Sequence, residues 1–152
     1  MGLFMESTEI SAERTAQEIS TLLIQSGATA IMQDLKDKKI SGLSFRLEIK
    51  GEQVPFSLPV RTEPILKYLQ KRLNPRNREK AKPRQLLQAE RVAWRQLLRW
   101  IQAQIALIDT GMVDPQEVFM PYIQTGVHET LYQKLSAGPM NQLHRLALPE
   151  RT

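Results

Sequence analysis

Apolar positions recur along this chain with two different periods, and the switches between them mark its elements. Over residues 12–26, Ala12, Ala16, Ile19, Leu22 and Leu23 return every three or four residues, as the buried stripe of an amphipathic helix requires. Ser11 stands where an N-cap belongs, Glu13 lies near the positive end of the helix, and Gly27 fits the position after the C-cap. The period drops to two in residues 40–50, where Leu43, Phe45, Leu47 and Ile49 alternate with Ser44, Arg46, Glu48 and Lys50. That is a strand with one buried face. Beyond a tight turn at Gly51, Val54, Phe56, Leu58 and Val60 continue the alternation. Pro55 and Pro59 fall on the opposite parity, which places this strand at an edge or bends it. Residues 28–35 alternate weakly and predict a shorter strand, with a polar turn over residues 34–39.

The helical period then returns. Thr62, Glu63 and Pro64 open a helix whose stripe is Ile65, Leu66, Leu69 and Leu73, and Asn74-Pro75 closes it. Residues 74–83 hold no apolar side chain larger than alanine, which predicts an exposed basic loop. The longest helical pattern follows, starting near Pro83 or Arg84 and stopping before Gly111. Leu87, Trp94, Leu97, Leu98, Ile101, Ile105 and Ile108 form one broad apolar face, and Leu86, Ala89, Ala93, Trp100 and Leu107 widen it to a second side. Both tryptophans are expected in the core. The polar stripe is Arg84, Gln88, Arg91, Arg95, Arg99 and Gln102.

Asp114 and Pro115 begin a short helix, and residues 124–138 predict another, containing Leu131 and Leu135. Leu143, Leu146 and Leu148 predict a docked tail. The expected architecture is α+β: a three-stranded antiparallel sheet of open strand order, packed on one face against the long central helix and its companions. Residues 11–148 form the single domain, residues 1–10 a flexible lead-in and residues 149–152 a tail. The two-sided apolar helix also allows a homodimer.

Charge changes this picture more than composition does. The chain of 152 residues carries +5 overall, but residues 67–99 hold eleven Lys or Arg against Glu79 and Glu90, a local balance of +9. The remainder is therefore about −4. Such segregation marks a surface for phosphate backbones or an acidic protein surface. The candidate contacts are Lys71, Arg72, Arg76, Arg78, Lys80, Lys82, Arg84, Arg91, Arg95 and Arg99. The last three are spaced four apart, which lines guanidinium groups about 6 Å apart along one helix side. The alternative use of these cations is pairing with acids of the first helix or of residues 114–117. No helix-turn-helix, zinc-finger or RNA-recognition signature accompanies them, so base reading is not expected.

Catalytic signals are missing. There is no cysteine, His128 and His144 stand in no constellation, and neither a nucleophile elbow nor a glycine-rich phosphate loop occurs. Asp34 with Asp37, or Asp109 with Asp114, are the remaining metal candidates; no cofactor is expected. No apolar run approaches the roughly 18–20 residues of a membrane span, and residues 1–5 lack the pattern of a secretory leader. The expectation is a cytoplasmic, non-enzymatic protein.

Ser44-Phe45-Arg46, the run from Val54 to Val60, the run from Ala89 to Arg95, the run from Ile105 to Met112 and the run from Glu117 to Tyr122 occur here in that order. In this the chain resembles a family of small conserved phage and prophage proteins, over roughly residues 12–148. It departs most in the shortened segment from Gln124 to His128. The resemblance implies a viral or mobile-element setting and supplies no catalytic residues. Together with the charge pattern it leads to a nucleic-acid-associated accessory protein, or, as the alternative, an inhibitor or assembly subunit acting on a larger host or viral complex.

Overall fold

Helix α1 (Ala12–Gln25) begins where the Ser11 hydroxyl accepts the backbone N–H of Arg14 at 3.2 Å. It ends in a Schellman motif. The N–H of Ala28 reaches the Leu23 carbonyl at 2.9 Å and that of Gly27 reaches Ile24 at 3.1 Å. Gly27 has φ +103°, a conformation in which any other residue would be strained. The computed structural model describes residues 2–138 and 146–147 and is an α+β fold.

Three antiparallel strands follow α1: β1 (Ala30–Lys36), β2 (Lys39–Ile49) and β3 (Glu52–Ser57), in spatial order β1-β2-β3. The register lines up Ile31, Phe45 and Phe56 on one face and Met32, Ser44 and Ser57 on the other. Pro55 is accommodated because β3 is an outer strand of this sheet. β1 runs on to Lys36, so the turn is tighter than the pattern suggested. Only Asp37 and Lys38 lie between the strands, both with positive φ.

Helix α2 (Glu63–Lys71) leads through a 3-10 turn (Pro75–Asn77) into α3 (Arg78–Asp109). This corrects the expectation of a loop over residues 74–83. Most of that stretch is helical, and α3 encloses Pro83. The missing proline N–H costs the bond to the Glu79 carbonyl. Both residues are exposed, so water can take that carbonyl. Side chains hold the added turns: Arg78 Nε donates to the Gln70 carbonyl at 3.1 Å, and Gln85 Nε2 to that of Leu69 at 3.2 Å. At 32 residues α3 is about 48 Å long.

The core lies between the sheet and two helices. Ile19 and Leu23 of α1, Leu43, Phe45 and Phe56 of the sheet, and Trp94, Leu98 and Ile101 of α3 are buried together. The short helix α4 (Pro115–Phe119) adds Phe119, whose ring packs edge-on to Phe45 and Trp100 at 5.2 and 5.9 Å. Trp94 is buried, while Trp100 is half-buried against Phe119 and Tyr122.

Residues 124–138 are only partly helical. Two short strands, β4 (Gln124–Gly126) and β5 (Glu129–Thr130), form a hairpin before α5 (Leu131–Ala137). Ile123 bridges to Phe56, which sets this hairpin beside β3. Leu146 is exposed; Leu143, Leu148 and residues 149–152, expected as a docking tail and its end, lie outside the described residues.

Within residues 1–10, the expected lead-in, the backbone of Phe4, Glu6 and Thr8 is hydrogen-bonded to α3. Gln88 Nε2 donates to the carbonyls of Glu6 and Thr8 at 2.8 and 2.9 Å, and Gln96 Nε2 to that of Phe4 at 2.9 Å. Glu6 also pairs with Arg72.

Candidate nucleic-acid interface

The cations singled out by their spacing do not form one continuous stripe. A helix turns about 100° per residue, so positions four apart drift by about 40° at each step. Arg91, Arg95 and Arg99 therefore point progressively around α3, and α1 covers the middle one. Arg95 is 6% exposed. Its Nη1 donates to Glu18 Oε2 at 2.9 Å and to the Thr15 hydroxyl at 3.2 Å. It belongs to the α1–α3 packing and is removed from the surface. Arg91 is half-buried, its Nε without a partner among the described residues. Arg99 is exposed and held by Gln102 at 2.8 Å.

The other seven cluster where α2 turns back into α3. Lys71, Arg76, Lys80, Lys82 and Arg84 are exposed and make no ion pair among the described residues. Arg72 is partly engaged, paired to Glu6 and lying over the Tyr68 ring at 5.1 Å. Arg78 is half-buried on Gln70. The helical start of α3 brings these charges together, because Arg78 to Arg84 rises only about 9 Å along the axis. The same six steps in an extended loop would reach roughly 20 Å. Between Lys67 and Arg84 the only acid is Glu79. The first turns of α3 thus offer unpaired cations on more than one side of the helix, since Lys80 and Lys82 are about 200° apart around it, and Arg99 stands apart, about 22 Å along α3 from Arg84.

A second feature escaped the sequence reading. The β4–β5 hairpin and the outer face of the sheet enclose a cleft of about 420 Å³ lined by Asp34, Ser57, Arg61, His128, Glu129 and Gln133, among others. Ser44, on the same face of the sheet, is buried and accepts from Gln124 Nε2 at 3.2 Å. Nothing in the spacing of His128 and Glu129 shows that the hairpin folds toward Asp34 and Arg61. Among the described residues, no three His, Asp or Glu side chains are grouped as a metal site requires. Nor is any helix among them long and apolar enough to cross a membrane. No family profile, curated protein or solved structure matches the chain.

Proposed function

We propose that this is a non-enzymatic accessory protein that binds the phosphate backbone of nucleic acid through the basic α2–α3 turn. The phage or mobile-element setting, and a cytoplasmic site of action, are part of the same proposal and rest on the resemblance read in the sequence. One observation carries the binding reading: Lys71, Arg76, Lys80, Lys82 and Arg84, at the end of α2 and the start of α3, are exposed without ion pairs among the described residues. A chain that used these cations for stability would hold them against acids, as it does Arg95. Backbone binding by five cations gives an affinity that falls with salt at a log–log slope of up to about −4.5 on duplex DNA.

The test is fluorescence anisotropy with single- and double-stranded DNA and RNA across a salt series. Replacing Lys71, Arg76, Lys80 and Arg84 together with alanine is expected to abolish binding at moderate salt and leave the fold intact. Binding that survives this change, or that ignores salt, rejects the proposed surface. A second reading, docking to an acidic protein, is favoured by Leu86 and Leu87, which are exposed next to the cations. Absence of any nucleic-acid binding at low salt, with one stoichiometric acidic partner, selects it.

A further inference from the structure

We propose that two copies of this chain associate through antiparallel pairing of their β1 strands, centred on Gln33, to form one six-stranded sheet. Among the described residues β1 pairs with β2 alone, so the other side of its backbone presents N–H and C=O groups that none of them pairs. Beside that edge, on the face that carries α1, lies a groove of about 540 Å³ in which Ile24, Ile31, Leu35 and Ile40 are mixed with polar side chains, chiefly Glu13, Gln17 and Lys38. Ile24 is 58% exposed and Leu35 67%, so both leave most of their apolar surface in water.

The strand itself points to a second copy as the occupant. β1 has seven residues, and full-length antiparallel pairing with its own copy puts the central one, Gln33, on the twofold axis. In that register Ile31 lies opposite Leu35 of the second copy, and Leu35 opposite its Ile31, both on the groove side. A one-residue slip moves every side chain to the other face. A two-residue slip toward the turn sets Asp34 against its own copy, which like-charge repulsion opposes. The charges also fit. The tip after β1 carries Lys36, Lys38 and Lys39 against Asp37, and the register brings it toward the last turn of the other copy's α1. That turn has no basic residue of its own, so its negative end is open to the incoming lysines.

This association is independent of the polyanion reading, and its test needs no nucleic acid. The chain has no cysteine, so Gln33→Cys introduces a single thiol. Two copies paired at this position bring their Cα atoms to about 4.5–5.5 Å, within reach of a disulfide. Oxidation of Gln33→Cys is expected to give a covalent dimer, and oxidation of Thr125→Cys, on β4, to give none. In sedimentation velocity the unmodified chain should dimerise reversibly. Gln33→Lys and Gln33→Glu should each weaken the dimer about tenfold, and an equimolar mixture of the two should recover it. Circular dichroism should show both variants folded, since Gln33 is exposed. A chain that stays monomeric at every concentration overturns the proposal. So does a dimer that tolerates both charges and fails to cross-link at position 33.

Discussion

Arg95 reaches from the middle of α3 to Glu18 on α1, placing Nη1 2.9 Å from Oε2 with the guanidinium almost wholly out of water. Its Nε stays unpartnered among the described residues, so the side chain is only partly satisfied. Glu18 keeps about a third of its side chain in solvent, which limits what loss of its partner costs. Arg95→Ala should destabilise the protein by about 2 kcal/mol in urea unfolding, below the range for a fully buried pair. It should leave polyanion binding unchanged, whereas a surface contact would show the reverse.

The basic turn makes a different kind of prediction. Removing one of Lys71, Arg76, Lys80 or Arg84 should reduce the salt slope of binding by roughly one unit and scarcely alter the melting temperature. Arg99→Ala should change the slope less than any of these, because it lies far along α3 from the cluster.

Pro83 is a test of how α3 begins. A proline in a helix interior costs about 3 kcal/mol, part of which is returned here by solvent at the Glu79 carbonyl. Pro83→Ala should therefore stabilise the chain by about 1–2 kcal/mol, read as a higher urea midpoint, and raise helicity. If residues 78–83 were an irregular loop, the same change would be neutral or destabilising.

Gln88 is the main tie on the N-terminal segment. Gln88→Ala removes both amide bonds and should cost about 1–2 kcal/mol. Backbone amides of residues 4–10 should exchange faster, while those of the sheet keep their protection. Arg72→Ala, which removes an exposed pair with Glu6, should cost less than about 1 kcal/mol.

Phe119 joins α4 to the sheet, and it is buried among Phe45, Phe56 and Trp100. Phe119→Ala should cost about 3–5 kcal/mol and alter tryptophan emission, since Trp100 loses its edge-on neighbour.

Legibility in the sequence followed the reach of each interaction. The α1 stripe, its Ser11 cap, and the faces of β2 and β3 were readable because the period and the cap lie within a few residues of each other. Strand order and the burial of Arg95 were not, because Glu18 and Thr15 are 77 and 80 residues away. The start of α3 was misread because Pro75, Pro83 and a run of cations look like a loop. What makes the stretch helical is side-chain bonding to the end of α2. Grouping of the basic residues was anticipated, but their membership was not. Seven gather at the turn and three scatter along the helix. The cleft under the β4–β5 hairpin left no local trace at all.

The bonds from Gln88 and Gln96 join residues that are made 80 to 92 positions apart. A ribosome that has completed the sheet has not yet made the helix on which it rests. At 5–20 residues per second, roughly two to nine seconds separate the end of β3 from the emergence of Ile101. Through most of that interval Phe45 and Phe56 have no Trp94 or Leu98 to cover them. The nascent chain is thus most prone to aggregation, and most in need of a chaperone, in the interval before α3 leaves the exit tunnel.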